Sequence, residues 1–252
     1  MALRQGKRKL PAREAKQFKE RMKIAGKVLD DSTIFVLVHL LNKKLLKSVD
    51  YPVSSGKESV VFRATAPDGR FLALKIFKYE TRAFRHMLNY IQGDPRFKRV
   101  KKQTRSLVEA WARKEFANLR ACDAAGVNVP APIACEKNVV VMEFLGEGGK
   151  PYALLNDVVV ENPEKMLEQI LENMKKMYAA GLVHADLSQY NIVVQHETPF
   201  FIDLGQAVLL EHPKSAEFLE RDVKNILSYF AKLRIEKSFE KALAFVKGSG
   251  KP

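Results

Sequence analysis

The fold is decided by two short stretches of the sequence, HADLSQYN at residues 184–191 and IDLG at residues 202–205. Transfer of a phosphoryl group requires a carboxylate that orients the attacking group and oxygen ligands that hold Mg²⁺. Asp186 and Asn191 lie on one predicted loop, and Asp203 ends a short predicted strand before a glycine that permits a tight turn. A β-hairpin between Asn191 and Asp203 would return both side chains to one metal. We therefore predict that Asp186 and Asp203 are catalytic and that Asn191 and Asp203 are the metal ligands.

Lys75 is the third predicted catalytic residue, and it follows an apolar run at residues 72–74. Burial of a lysine on such a strand is costly unless a carboxylate and the α/β-phosphates of ATP satisfy its charge. Glu115 on the following predicted helix is the first choice for this carboxylate, and Glu109 is the second. A spacing of six residues puts the two glutamates on different helix faces. The alternative is that Lys75 lies on an edge strand and reaches solvent.

Two segments of the N-terminal half are predicted to contact ATP. A polar loop between the first two predicted strands can surround phosphates with backbone N–H groups and hydroxyls, although it matches neither Walker A nor G-x-G-x-x-G. The end of the strand before a Gly-rich connector can offer main-chain groups to a purine edge. Read alone, these segments would be a polar turn and an ordinary strand end. The predicted ATP-binding residues are Ser54, Ser55, Gly56, Lys57, Glu58, Ser59, Lys75, Glu115, Met142, Glu143 and Leu145.

The pattern of apolar residues predicts an α+β chain with two lobes and a cleft between them. Residues 1–48 are predicted to form a basic helical extension with a helix start at residues 30–33. Residues 49–145 are predicted to form an N-lobe with a five-stranded antiparallel sheet, the phosphate loop, a flexible basic loop at 81–105 and the helix that carries Glu115. Residues 146–252 are predicted to form a hinge connector and a reduced α-helical C-lobe. The C-lobe elements are predicted as helices at 163–180, 215–231 and 235–246 and strands at 192–194 and 200–202.

The net charge of +14 is concentrated in two segments. Residues 1–28 contain ten Lys or Arg against two Glu, and residues 81–105 contain eight against one Asp, with Arg96 among them. The rest of the chain is close to neutral. Such local charge attracts polyanions, nucleic acid above all, because binding releases counterions. The alternative is a solvated helix face and a disordered loop.

Cysteine content and hydropathy predict a cytoplasmic protein without a membrane partner. Cys122 and Cys135 are the only cysteines and are too far apart for a C-x-x-C pair, which favours a reducing compartment. No stretch approaches the roughly 20 apolar residues that span a bilayer, and the Lys-rich start lacks the apolar centre of a signal peptide.

At these motifs the chain resembles the RIO family of atypical protein kinases over nearly its whole length. Within the family the motifs match the first, Rio-one-like branch, since the second branch reads HGDF and IDFPQ at the two catalytic motifs, and the resemblance indicates an archaeal member. The matching stretches are SSGKES at 54–59, WARKEF at 111–116, MEF at 142–144, HADLSQYN at 184–191 and IDLGQ at 202–206.

The resemblance implies a bilobal protein-kinase-like fold that uses ATP with Mg²⁺ or Mn²⁺ and autophosphorylates on serine. It also implies a role in late maturation of the small ribosomal subunit, with the subunit precursor and its RNA as partners. For this family, ATP hydrolysis through a phosphorylated aspartate is a further expectation, and it would fall on Asp203. The chain departs from ordinary kinases because no Ala-Pro-Glu follows Asp203 and only 49 residues remain after it, too few for their peptide-binding helices.

Two other functions are compatible with parts of the sequence. A small-molecule kinase with the same core would need a large acidic acceptor pocket after the D-x-G motif, and the chain is too short there. An RNA-binding pseudokinase would explain the basic segments but would not need Lys75, Asp186, Asn191 and Asp203 together. We therefore expect an ATP-dependent serine/threonine phosphotransferase or ATPase.

Overall fold

The computed structural model describes residues 29–79, 90–91, 94–97 and 103–249. Helix α1 (Asp31–Asn42) opens the described chain, and Asp30 caps it by accepting a hydrogen bond from the Thr33 N–H at 2.8 Å. This start agrees with the N-cap cluster in the sequence, because an aspartate side chain satisfies one of the free N–H groups of the first turn. The basic helix predicted before it lies outside the described residues.

The strands of the N-lobe are β1 (Ser48–Ser55), β2 (Ser59–Thr65), β3 (Phe71–Phe77), β4 (Pro132–Glu136) and β5 (Val139–Glu143). They form a five-stranded antiparallel sheet with the strand order β1-β2-β3-β5-β4. Pro52 lies on edge strand β1, where its missing N–H is tolerated, and the register of β1 shifts on both sides of it. The turn between β2 and β3 is tight, with Gly69 at φ 87°.

Each face of this sheet is covered by one helix. Side chains alternate along β3, so Leu72, Leu74 and Ile76 enter the apolar cluster that contains α1. The opposite face packs against helix α2 (Thr104–Ala124), whose Trp111 is 1% exposed. Lys75 therefore points to the α2 side of the sheet.

The connector between the lobes forms a small hairpin of β6 (Gly146–Glu147) and β7 (Lys150–Pro151). Arg63 of β2 lies between the rings of Tyr51 and Phe71, 4.4 and 4.3 Å from their centroids. Its guanidinium and the Tyr51 hydroxyl both donate to the Gly149 carbonyl, at 3.3 and 2.6 Å. These contacts tie the connector to strands β1 and β2 of the N-lobe.

The C-lobe is built around helix α3 (Pro163–Ala179), which buries an apolar face against the neighbouring helices and short strands. Strands β9 (Ile192–Gln195) and β10 (Thr198–Phe201) form a hairpin. Its turn residues His196 and Glu197 have φ values of 47° and 59°, the conformation that suits a tight two-residue hairpin turn. The remaining elements are β8 (Leu182–Val183), β11 (Val208–Leu209), α4 (Ser215–Lys232) and α5 (Phe239–Val246).

The predicted α+β bilobal architecture is confirmed, with two differences in detail. Helix α5 begins at Phe239 rather than at residue 235, because Ser238 caps it by accepting a hydrogen bond from Lys241 N–H. Within the segment 81–105, Asp94 and Phe97 are buried, so this part of the basic segment has packing partners that its composition did not indicate. Among the described helices, none has both the length and the apolar character that crossing a bilayer requires.

Candidate active site

Three charged side chains from three separate elements meet at the junction of the lobes. The Lys75 ammonium on β3 lies 2.8 Å from Oε1 of Glu115 on α2 and 2.8 Å from Oδ1 of Asp203, which follows β10. The side chains of Lys75 and Glu115 are 6% and 1% exposed, whereas that of Asp203 is 49% exposed. The first-choice partner of Lys75 is thus present, while Glu109 accepts a hydrogen bond from the hydroxyl of Tyr79 at 3.2 Å.

The charges in this trio keep Asp203 ionised. Burial acts to lower the pKa of Lys75, but Asp203 and Glu115 outweigh it and raise that pKa above its ordinary value. Burial acts to raise the pKa of Asp203, but the charge and hydrogen bond of Lys75 override it and hold the pKa below its usual range. For Glu115 burial prevails and raises the pKa. The half-exposed carboxylate is therefore the one available to a ligand in its charged form.

Asp203 is placed by the β9–β10 hairpin and held in an unusual backbone conformation. The Ile202 N–H donates to the Asn191 carbonyl at 3.0 Å, which brings the two ends of the hairpin together. Asp203 has φ 63°, in the left-handed region that costs energy for a residue with a side chain. Such strain is found where surrounding contacts hold a functional residue in place.

The glycine of the D-x-G motif is required by close packing. A Cβ on Gly205 would come within 2.8 Å of Trp111 Nε1 and 3.2 Å of Glu115 Oε2. The sequence suggested a glycine that allows a tight turn, but the structure gives a different reason. Helix α2 approaches the backbone so closely that no side chain fits.

Asp186 and Asn191 face each other across the loop after β8. The Asn191 amide donates to the Asp186 carbonyl at 2.8 Å and to its carboxylate Oδ2 at 3.2 Å. Burial and the neighbouring charge of Asp203 raise the pKa of Asp186. Ala185, just before it, has φ 65°. The two predicted active-site aspartates are thus electrostatically coupled, and both lie on or next to strained backbone.

Helix α4 holds the Asp186 loop through hydrogen bonds to the loop backbone. Asp222 is 1% exposed and accepts hydrogen bonds from the N–H groups of Ala185 and Leu187 at 2.7 and 2.9 Å. Arg221, the preceding residue, donates to the Ala185 carbonyl. Burial raises the pKa of Asp222 to about 7 despite these two N–H donors. Sequence reasoning missed Asp222, because nothing in the local pattern distinguishes it from a surface aspartate of an amphipathic helix.

The predicted ATP-binding segments lie at opposite ends of the N-lobe sheet. The phosphate loop, residues 54–59, is exposed from Ser54 to Lys57, and the Gly56 carbonyl accepts a hydrogen bond from the Lys78 ammonium at 2.8 Å. At the end of β5, Met142 and Leu145 are buried whereas Glu143 is exposed. The Glu143 N–H donates to the Ala131 carbonyl at 2.9 Å. The roles of these residues in ATP binding remain predictions.

The residues at the site fit a metal–nucleotide complex. Asp203 and Asn191 offer a carboxylate and an amide oxygen, the hard ligands that Mg²⁺ or Mn²⁺ prefers. The described part of the chain contains no group of three or more His, Cys, Asp or Glu that could hold a metal alone. Magnesium commonly takes its remaining ligands from phosphates and water. Glu115 Oε2 is also buried without a hydrogen-bond partner among the described residues, so this oxygen of the trio can still accept a hydrogen bond.

The family comparison agrees with this geometry. A family model described as "RIO domain" matches residues 60–243. The chain belongs to the RIO family. The matched range includes all three members of the charged trio and the Asp186 loop, whereas the whole phosphate loop, residues 54–59, lies before it.

Named relatives match most of the chain, and a solved structure shares its fold. A RIO-type serine/threonine-protein kinase Rio1 of Haloferax volcanii is 39% identical over 91% of this chain and 79% of its own length. The corresponding Thermoplasma acidophilum protein is 42% identical over 75% of this chain and 99% of its own length. The Rio2 kinase–ADP/Mg²⁺–phosphoaspartate complex from Chaetomium thermophilum has a similar fold, with a TM-score of 0.67 and 24% identity over 87% of this chain and 66% of that one. This last similarity supports the kinase-like fold.

Proposed function

We propose that this RIO-family chain is an atypical serine/threonine protein kinase that transfers the γ-phosphoryl group of ATP with the help of Mg²⁺ or Mn²⁺. The observation that carries the proposal is the Lys75–Glu115–Asp203 trio, with both Lys75 contacts at 2.8 Å. A buried lysine shared by a buried and a half-exposed carboxylate is costly as a purely structural feature. Such a lysine is instead suited to bind nucleotide phosphates while it fixes the position of the neighbouring carboxylate, Asp203.

Each residue of the site has a role that follows from its position. Lys75 would bind phosphate oxygens, and Glu115 would keep the ammonium oriented toward the cleft. Asp203 and Asn191 would hold the metal, which neutralises charge on the phosphates when bound. Asp186, whose carboxylate the Asn191 amide orients, would position the hydroxyl that attacks. Asp222 keeps the backbone before and after Asp186 in place.

We further infer that the activity serves maturation of the small ribosomal subunit, with a subunit precursor and its RNA as partners. The concentration of positive charge in residues 1–28 and 81–105 supports a polyanionic partner. Autophosphorylation on serine and ATP hydrolysis through a phosphorylated Asp203 are part of the same proposal. A cytoplasmic location agrees with the two cysteines, which are free thiols in the described chain.

The decisive experiment follows the fate of γ-labelled ATP with and without purified small-subunit precursors. Label in this chain, in a precursor protein or in released phosphate distinguishes autophosphorylation, acceptor phosphorylation and ATP hydrolysis. We expect precursor particles to increase at least one of these rates. RNA binding with no consumption of ATP in any mixture would instead indicate a pseudokinase.

A further inference from the structure

The turn that follows Asp203 is held by polar side chains of helix α2. The Lys114 ammonium donates to the Gly205 carbonyl at 2.6 Å. The Asn118 amide donates to the carbonyls of Leu204 and Ala207 at 2.8 and 3.1 Å. Three carbonyl groups within four residues of the predicted metal ligand are thus bound from one helix. Lys114 and Asn118 are four residues apart and so lie on the same helix face.

Both donors are buried, and burial of a polar or charged side chain costs free energy. Lys114 is 2% exposed and Asn118 is 1% exposed. The Lys114 ammonium lies 4.5 Å from the centre of the Trp111 ring, and burial together with the charge of Arg96 lowers the pKa of Lys114 to about 7. An apolar residue would fill the same space without the cost of removing an amine from water. A buried lysine at this position therefore points to its contact with the Gly205 carbonyl as the reason for its presence.

Asn118 is itself oriented by a described part of the basic segment, residues 94–97. Arg96 Nη1 donates to Asn118 Oδ1 at 2.7 Å. The same guanidinium binds both carboxylate oxygens of buried Asp94, with Nε at 2.9 Å and Nη2 at 2.6 Å. A guanidinium held in this bidentate way has little freedom left. The amide of Asn118 is thereby fixed with its nitrogen toward the turn.

We propose that Lys114 and Asn118 are positioning residues for the metal ligand Asp203, and that the Asp94–Arg96 pair sets the orientation of Asn118. The chain Asp94–Arg96–Asn118–turn is continuous at hydrogen-bond distance. It connects the basic segment to the left-handed backbone at Asp203. Partners that orient a metal ligand without touching the metal commonly change its metal affinity by about 10–100-fold. The inference rests on the proposed function, because it presumes that Asp203 binds a metal.

The test compares metal binding by three variants of the full chain, Arg96→Gln, Asn118→Leu and Lys114→Met. Mn²⁺ is titrated into the chain in the presence of ADP. The amount of Mn²⁺ that the chain binds is measured as the loss of the free-ion EPR signal beyond the loss that ADP alone causes. The Mg²⁺ concentration that half-saturates ATP turnover is measured alongside the KM for ATP. We expect all three variants to need about ten-fold more metal, with a smaller change in the KM for ATP at saturating Mg²⁺.

Matched controls separate positioning from loss of stability. Asn138→Leu removes a buried asparagine in the β4–β5 turn, where its amide donates to the Phe77 carbonyl and to the Thr33 hydroxyl on helix α1. Arg70→Gln removes an arginine that pairs with Asp68 two residues before it, the same spacing as Arg96 and Asp94. Both controls should keep wild-type metal affinity. Equal metal affinity in the test and control variants would overturn the proposal.

Comparison of the variants with the wild type distinguishes failure of the positioning role from failure of the proposed function. If Asn118→Leu fails to fold, the milder Arg96→Gln, which leaves both carbonyl contacts of Asn118 possible, decides the outcome. A wild-type chain that binds no Mn²⁺ with ADP would overturn the proposed function as well. A wild-type chain that binds Mn²⁺, beside test variants that bind it equally well, would overturn only the positioning role.

Discussion

Asp203 combines features that seldom occur together, since its carboxylate is ionised and half-exposed while its backbone is strained. We predict that Asp203→Ala lowers ATP turnover at least about a hundred-fold, equivalent to roughly 3 kcal/mol, because it removes a proposed metal ligand. Lys75 retains Glu115, so the fold should survive. The measurement is ATP turnover over a range of Mg²⁺ concentrations together with thermal unfolding, and Asp123→Ala on an exposed position is the control. Undiminished turnover by a folded variant would contradict the site assignment.

Asp186 should separate binding from transfer. We predict that Asp186→Ala binds nucleotide nearly normally but transfers phosphate about 10²–10⁴-fold more slowly, as expected when the group that orients the attacking hydroxyl is removed. Equilibrium dialysis with labelled nucleotide and single-turnover transfer would measure the two quantities. Loss of nucleotide binding without a separate effect on transfer would show that the role is misassigned.

His184 should make the stability of the protein depend on pH. Burial lowers its pKa from 6.5 to about 4, although its Nε2 is bonded to the Ile202 carbonyl. The unfolded chain therefore binds a proton at a higher pH than the folded chain does. The stability from neutral His184 is present above about pH 6.5 and is lost as the pH falls toward about 4, by at most about 3 kcal/mol.

Urea unfolding of wild type, His184→Gln and His39→Gln across this pH range checks the prediction. We expect His184→Gln to flatten the pH dependence and His39→Gln, on an exposed position of α1, to leave it unchanged. Parallel pH profiles for all three proteins would rule out His184 as the cause.

At the scale of elements, the Arg63 contacts make the connector hairpin part of the N-lobe. Arg63 stacks between two rings, pairs with Asp50 at 3.0 Å and reaches the Gly149 carbonyl. We predict that Arg63→Ala lowers the free energy of unfolding by about 1–3 kcal/mol and speeds hydrogen exchange in β6 and β7. Lys43→Ala, which removes an exposed ion pair with Glu136 at 3.5 Å, should change both by much less. Equal effects of the two substitutions would refute a specific role of the Arg63 contacts.

At the scale of the whole molecule, the placement of charge predicts salt-sensitive binding to RNA. If residues 1–28 and 81–105 contact phosphates, affinity should fall with a log–log slope of roughly −0.7 to −0.9 per phosphate neutralised. Arg96 counts toward the charge of this segment in the sequence, but the structure commits it to Asp94 and Asn118. The variant that tests RNA binding therefore leaves Arg96 intact. It replaces Lys98, Arg99, Lys101 and Lys102 with Gln.

We expect this fourfold variant to flatten the salt slope while intrinsic ATP hydrolysis is largely retained. Its control removes the same number of positive charges through four Lys→Gln changes on exposed C-lobe positions and should keep the wild-type slope. Unchanged RNA affinity at low salt together with impaired catalysis would show that the segment acts on ATP or on a protein acceptor. The control positions are Lys165, Lys214, Lys232 and Lys241.

The amino-acid sequence by itself determined the kinds of elements, the two-lobed order and the set of candidate site residues. These features are local or nearly so. Asp186, Asn191 and Asp203 lie within 18 positions, and one hairpin brings them together. The alternation along β3 likewise assigns Lys75 to one face of the sheet without reference to distant contacts.

Only the tertiary structure decided which distant groups meet. The choice of Glu115 over Glu109 depends on how α2 rotates against the sheet, and helical spacing alone left both open. The roles of Asn118, Lys114 and Asp222 depend on backbone carbonyls and N–H groups far away in the chain, which leave no periodic signal in side-chain hydropathy. Arg96 lies in a segment whose composition is typical of a solvated basic loop. A buried aspartate two residues before it and an asparagine on α2 nevertheless fix its position. The sequence shows which side chains carry charge, but burial decides which of those charges must be paired, and burial is a property of the packed molecule.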